Sequence, residues 1–250
     1  MQVKISNVSF GYTLKQVLKK ISFEANSGDI MAIIGQNGSG KSTLLRCMAG
    51  ILKVNAGTIV LDGHLLSSLS PWQLSQLLAY VPQQGEWSSG LNVFDTVLLG
   101  RKPYIRGTPS LHDMEEVARI LRRLNLETMA MQQLHTLSGG QRQRVFIARA
   151  LAQNPNILLL DEPIANLDLN HQIRVLSLLQ ELAKEGKTII LTLHDINLAA
   201  RFCNKVLMLK AGEIFAYGVD AVYTSENIGQ LYDVEVDIFY HKNRICVIPC

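Results

Sequence analysis

Four nearly unbroken apolar runs recur along the chain, at 30–34, 157–160, 188–193 and 206–209. A run of this kind has no polar face to offer water, so each predicts a strand covered on both sides, as in a parallel sheet. The segment 78–81, closed by Pro82, adds another strand. Between these lie stretches with apolar residues three and four apart, at 92–99, 113–124, 142–153, 170–182 and 196–203, which predict helices. Before residue 30 the pattern changes. Val3, Ile5 and Val8, and then the stretch 17–23, read as strands separated by a turn at Phe10-Gly11-Tyr12. A short strand at 57–63 closes with Asp62-Gly63, and Ser70-Pro71 supplies the cap and first position of a helix. The tail ends in a β segment at 244–248. The pattern predicts α/β architecture with a mainly parallel sheet, and the length of 250 residues leaves one large domain or two small ones open. A helical portion is inserted at 85–151, and a short C-terminal extension occupies 218–250.

Composition narrows the class. With 48% hydrophobic and 18% charged residues, core material is ample and the composition is not that of a disordered chain. A net charge of +3, without a long Lys/Arg block, argues against nucleic acid as a partner. The cysteines are Cys47, Cys203, Cys246 and Cys250; the last two, with three residues between them, fit neither a redox nor a zinc pattern. They read as thiols in a reducing compartment. No apolar run approaches the roughly 18–20 residues that span a bilayer, and the first residues enter a strand-like alternation rather than a leader. A cytoplasmic chain is expected, reaching a membrane only through a partner.

The chemistry concentrates in three stretches. Gly35-Gln36-Asn37-Gly38-Ser39-Gly40-Lys41-Ser42-Thr43 fits G-x-x-x-x-G-K-[ST] and stands between a predicted strand and a helix-compatible run. Glycines let successive N–H groups turn toward one phosphate chain, and the helix N-terminus adds partial positive charge. Lys41 is placed to reach the β- and γ-phosphates and the Ser42 hydroxyl to ligate Mg²⁺. At the end of the buried run 157–160 stand Asp161 and Glu162, followed by Pro163. Two adjacent acids there are costly unless partnered, which a divalent cation on Asp161 would provide. Glu162 is then placed to orient and deprotonate a water for attack on the γ-phosphate. In Leu137-Ser138-Gly139-Gly140-Gln141, Ser138 reads as a helix cap, and the stretch is either an ordinary helix start or a second anion site. Tyr12 is either hairpin packing or a platform for a base, and His194 either a structural histidine or a catalytic one.

These motifs, in this order, resemble the nucleotide-binding subunits of ATP-binding cassette transporters over nearly the whole chain, and Leu-Ser-Gly-Gly-Gln is the most specific of them. The resemblance implies a single domain over 1–250 with a P-loop NTPase core of RecA type, an antiparallel N-terminal β subdomain and an inserted helical subdomain at 85–151, with ATP and Mg²⁺ as cofactors and hydrolysis to ADP and phosphate. Tyr12 matches the aromatic that stacks on adenine. Gln83 matches the glutamine that contacts Mg²⁺ and the lytic water and senses the permease. His194 matches the switch histidine at the γ-phosphate. Ala165-Asn166-Leu167-Asp168 matches a loop usually written Ser-Ala-Leu-Asp that crosses a dimer interface. Two positions depart from the family pattern, Ile164 for Thr and Asn166 for Ala; neither removes a catalytic group.

The implied assembly is a head-to-tail pair of identical chains, in which Ser138, Gly139, Gly140 and Gln141 of one copy close on ATP held by the phosphate loop of the other. ATP binding would close the pair and hydrolysis reopen it. The implied partners are integral-membrane permease subunits and, indirectly, a substrate-binding protein, at the cytoplasmic face of the cell membrane. The segment 92–104, with Gly100-Arg101-Lys102-Pro103, resembles the Val-x-x-Gly-Arg-x-Pro stretch of importers of iron chelates, haem and vitamin B12. The alternative is a soluble cassette ATPase without a membrane partner. The repair type needs a long coiled coil between phosphate loop and signature, but the stretch from Thr43 to Ser138 has no sustained heptads. The translation type usually carries two cassettes, and one set of motifs is present here. A regulator without turnover would lack Lys41 or Glu162, and both are present.

Overall fold

The computed structural model describes residues 2–13, 15–83, 90–165, 167–242 and 244–250. The chain runs β1 (Val3–Tyr12), β2 (Lys15–Ala25), β3 (Ile30–Ile34), α1 (Lys41–Met48), β4 (Ala56–Leu61), β5 (His64–Leu65), α2 (Pro71–Leu77) and β6 (Leu78–Val81). It continues through α3 (Val93–Leu98), α4 (Leu111–Arg123), α5 (Gly139–Ala152), β7 (Ile157–Leu160), α6 (Leu169–Lys184) and β8 (Thr188–Thr192). It ends with α7 (Ile196–Phe202), β9 (Lys205–Lys210), β10 (Glu213–Gly218), α8 (Ser225–Tyr232), β11 (Val236–His241) and β12 (Arg244–Pro249).

The central sheet has the order β10-β9-β3-β8-β7-β6, parallel except for β10 at its edge. Its inner strands β3, β7 and β8 are buried at every residue, as their uninterrupted apolar sequence requires. Side chains still alternate between faces. Ile30, Ala32 and Ile34 of β3 join Leu158 and Leu160 of β7 in a core shared with α5, α6 and α7. Met31 and Ile33 face the other way, with Ile157 and Leu159, toward α1 and a second sheet. That second sheet, β2-β1-β4-β5, is antiparallel. The fold is that of a P-loop NTPase with an antiparallel N-terminal sheet.

Local details differ from the sequence expectation where tertiary contacts intervene. The turn expected at Phe10-Gly11-Tyr12 is instead strand. Gly11 pairs with Gln16 and Tyr12 with Lys15. The Gly11 amide donates to Asn55 Oδ1 at 2.7 Å, and the chain reverses after Tyr12, at Thr13 with φ 50°. Gly11 is needed for close packing: a Cβ there would meet the Lys15 carbonyl at 2.7 Å. The extension contains α8 and β11 besides the expected terminal strand, and β10 precedes it. Gln84, the start of the helical stretch expected from residue 85, and Asn166 lie outside the described residues.

The Gly-Arg-x-Pro stretch is explained by packing. A Cβ on Gly100 would lie 2.0 Å from the Arg149 carbonyl oxygen, so this segment touches α5 backbone to backbone. Arg101 and Asp113 form an ion pair at 3.0 Å, with 8% and 7% of their side chains exposed. Arg101 Nη1 also donates to the Ala152 carbonyl at 3.0 Å, and its guanidinium stacks 4.3 Å from the Tyr104 ring centre. Asp113 completes a capping box with Ser110 at the start of α4. The Ser110 hydroxyl and amide, with Arg101, hold the Asp113 carboxyl down to about 2. Asp113→Asn leaves Arg101 buried without a counter-charge, with an expected loss of about 3 kcal/mol in urea unfolding at pH 7. The folded-state pKa lies below the ordinary 3.8, so this contribution is complete above that value and vanishes as pH falls toward 2. Wild type and variant should therefore converge in acid; equal stabilities at pH 7 would show that the pair holds nothing.

Candidate functional site

Parallel pairing brings the ends of four strands to one edge of the central sheet. Leu160 is level with Val81 and with Leu191, and Ile33 is level with Thr192. The residues just beyond these points are Gly35 onward, Gln83, Asp161-Glu162 and His194, so segments far apart in sequence meet at the edge where α/β sheets bind ligands.

Gly35 has φ 149°, and a Cβ there would sit 2.1 Å from the Leu209 carbonyl oxygen; only glycine lets the loop leave β3 along this path. Gly40, at φ 107°, is the N-cap of α1. Among the described residues, α2 to α8 are capped by the side chains of Ser70, Asn92, Ser110, Ser138, Asp168, Asp195 and Thr224. α1 has no side-chain cap. Its first N–H groups are left for an anion, and the Ser39 hydroxyl is buried beside them without a partner. Lys41 Nζ donates to the carbonyls of Gly35 at 2.8 Å and Gln36 at 3.0 Å. Burial lowers the Lys41 pKa, while Glu162 and Asp161 pull it back up.

Asp161 is 1% exposed. Its Oδ1 accepts from Ser42 Oγ and Thr192 Oγ1, both at 2.9 Å, and the Tyr80 hydroxyl lies 3.4 Å from Oδ2. Burial raises the Tyr80 pKa, keeping the phenol a neutral donor. Glu162 follows in a left-handed conformation, φ 48°. For a residue with a Cβ this costs on the order of 1 kcal/mol. Its amide donates to Thr192 Oγ1 at 2.7 Å. Thr192 thus holds one acid by its proton and the next by its lone pair. The Glu162 carboxylate lies between Gln83 Nε2, 2.5 Å from Oε2, and His194 Nε2, 2.6 Å from Oε1.

The donor set fits Mg²⁺. Asp161 and the Ser42 hydroxyl give one carboxylate and one neutral oxygen, the few protein ligands that Mg²⁺ takes alongside phosphate oxygens and water. Among the described residues no cluster of three or more His, Cys, Asp or Glu could hold a metal by itself.

A cleft of about 540 Å³ opens over the loop, lined by Tyr12, Lys15, Lys19, Gly38, Lys41, Ser42 and Glu162 among others. Tyr12 stands at its rim, 46% exposed, its ring edge-on to Phe10 at 4.9 Å. A larger cavity of about 860 Å³, bordered by α1, β4 and α2, is mostly apolar and contains none of these charged groups. Lys15, Lys19, Lys41 and Glu162 line the smaller cleft.

Gln36, Asn37 and Thr43 stand with the loop. Ser138, Gly139, Gly140 and Gln141 do not line the cleft. They form the start of α5, where the Ser138 hydroxyl accepts from the Gln141 amide at 3.3 Å and Gln141 Oε1 accepts from the Ser138 amide at 2.8 Å. Asp168 is likewise a helix cap, accepting from the His171 amide at 2.9 Å and ring Nδ1 at 2.8 Å. Thr192 and Tyr80 were not singled out from the sequence. The available signal for Thr192 was a hydroxyl at the end of an otherwise apolar strand.

Residues 18–165 match the ABC transporter family. The chain is 39% identical over 251 residues to the petrobactin import ATP-binding protein FpuC of Bacillus anthracis, covering 99% of this chain and 92% of that one. It is similar to the solved structure of a metal-chelate type ABC transporter in an inward-facing conformation, with TM-score 0.86, 33% identity, and 99% and 97% coverage. It is also similar to the dimeric cassette MJ0796 bound to ADP and Pi after hydrolysis, with TM-score 0.80, 32% identity, and 87% and 98% coverage. The loop, the paired acids and the strand-end residues are thus found in a chain that belongs to the ABC transporter family, as one of its ATP-binding subunits.

Proposed function

We propose that this chain hydrolyses ATP to drive import of a metal chelate such as a ferric siderophore, haem or cobalamin, as a head-to-tail dimer docked on a separate permease. The observation that carries hydrolysis is Glu162, clamped between Gln83 and His194 one residue beyond the Asp161–Ser42 pair. The uncapped start of α1 and Lys41 bind the phosphate chain, and Tyr12 receives the base. Ser42, Asp161 and Gln83 would hold Mg²⁺, which would neutralise phosphate charge. Glu162 takes a proton from the attacking water, Gln83 orients that water, and His194 fixes the carboxylate and meets the γ-phosphate. Thr192 keeps both acids in register.

The dimer is supported by the position of the signature. In one chain Ser138 to Gln141 lie away from the cleft, and the Gly139 Cβ direction is open. A second copy facing the first would bring this helix start to the phosphates; the cassette MJ0796 is itself a dimer. Asp168, beside that face, would lie at the same interface. In this reading the chain sits on the cytoplasmic face through its permease; among the described residues no helix is long and apolar enough to cross a membrane. The metal-chelate reading rests on the named relatives and the Gly-Arg-x-Pro stretch.

Three outcomes test this. Glu162→Gln keeps shape and loses the base; hydrolysis should fall by about a hundredfold or more in a phosphate-release assay with ATP still bound, and near wild-type turnover would sink the assignment. Thr192→Val should lower kcat by about tenfold or more, as loss of an outer-shell donor does, with Thr192→Ser restoring most of it; an unchanged kcat would remove Thr192 from the machinery. Pull-down of tagged protein from solubilised native membranes should recover a polytopic permease. ATPase recovered without one, where a control complex survives, would favour the soluble cassette class.

A further inference from the structure

The C-terminal segment makes contacts that the chemistry above does not use. α8 buries Ile228 and Leu231 completely in the core shared with the central sheet. At its end Asp233 adopts a left-handed conformation, φ 57° and ψ 46°, and its amide returns to the Gly229 carbonyl. That turn aims the Asp233 carboxylate at the phosphate loop. Oδ2 accepts from Gln36 Nε2 at 2.8 Å, and Oδ1 pairs with Lys210 Nζ at 3.0 Å. Lys210, at the end of β9, donates to the Gln230 carbonyl as well. Lys210 first and Gln36 second hold the Asp233 carboxyl below its ordinary range, so it is an anion at neutral pH. Beside it the Tyr232 hydroxyl is buried next to the Gly35 amide, without a well-formed hydrogen bond.

The same segment grips a second site element. Asn197 lies on α7, three residues beyond His194. Its Nδ2 donates to the Val247 carbonyl at 3.1 Å, and its Oδ1 accepts from the Val247 amide at 2.8 Å. The Asn197 amide thus pairs with the β12 edge as a neighbouring backbone would. Through the end of α8 and through β12, the C-terminal segment therefore touches both the phosphate loop and the helix that follows His194.

We propose that the C-terminal segment positions the nucleotide site, with Asp233 fixing the phosphate loop through Gln36 and β12 fixing the helix after His194 through Asn197. The Gln36 carbonyl is one of the two acceptors of Lys41. Anchoring the Gln36 side chain restricts rotation of that peptide and sets where Lys41 is held. A loop ordered in advance loses less freedom when it closes on phosphate. Asp233 and Asn197 touch no reacting atom and act as positioning residues.

The test uses the full chain, with MgATP affinity and steady-state hydrolysis measured together. Asp233→Ala should weaken ATP binding and raise KM by about threefold, the scale of an exposed charged contact, with kcat within about twofold. Asp233→Asn, which keeps an acceptor for Gln36, should restore most of the affinity. In a Gln36→Ala background, Asp233→Ala should have no further effect. An unmoved KM in Asp233→Ala, or additive effects in the double variant, would overturn the inference. The inference rests on the loop being the ATP site. Failure of wild type to bind ATP would remove that reading as well, whereas normal wild-type binding with an unaffected Asp233→Ala overturns this inference alone.

Discussion

Parallel hydrogen bonding among β3, β8, β7 and β6 sets the level at which each strand ends. Leu160 stands beside Leu191 and Val81, so the residues that follow emerge within hydrogen-bond reach of one another. A shift of one residue in β7 would turn Asp161 toward the opposite face and separate Glu162 from both Gln83 and His194. What prevents this shift is burial. Leu158 and Leu160 face one core and Ile157 and Leu159 the other, and each face is covered by different elements. Side-chain packing against the different elements on the two faces, with the polar residues at the strand ends, holds the register, and the register places the charges.

Within that frame the charged groups hold each other. Asp161 is buried, yet three hydroxyls surround it and Lys41 stands close by. Hydroxyl donors stabilise a buried carboxylate without neutralising it, leaving its charge available to a cation. Glu162 has a strained backbone and two short side-chain contacts, an arrangement that persists only where the surroundings over-determine it. Thr192 supplies much of that determination, since one hydroxyl serves two adjacent acids.

The helical segment and the C-terminal segment reach the same edge from outside. The Arg101–Asp113 pair and the glycine contact at residue 100 fasten the loop before α4 to α5, the helix that begins at Ser138. On the other side, α8 and β12 lean on the phosphate loop and on α7. The edge of the sheet is therefore braced at several points, each by side chains that carry no chemistry of their own.

Much of this was legible in the sequence because it depends on local chemistry. Unbroken apolar runs specify strands buried on both faces, a glycine-rich loop before Lys-Ser specifies a phosphate cradle, and Ser138 with Gln141 specifies a helix cap. The turn misplaced at Phe10-Gly11-Tyr12 shows the limit. Gly11 is there to let β1 approach β2, and the glycine alone does not distinguish a turn from a close approach. By itself the sequence determined the α/β class and the order of most of the elements, and it singled out the glycine-rich loop and the paired acids, since these follow from periodicity and spacing. The tertiary structure alone decided that Thr192 bridges Asp161 and Glu162, that Arg101 is buried against Asp113, and that Asp233 reaches Gln36. Thr192 reaches the two acids because β8 lies beside β7, while the other two pairs join a helix start or a helix end to a distant turn or loop; all three are tertiary packing outcomes that no local pattern encodes.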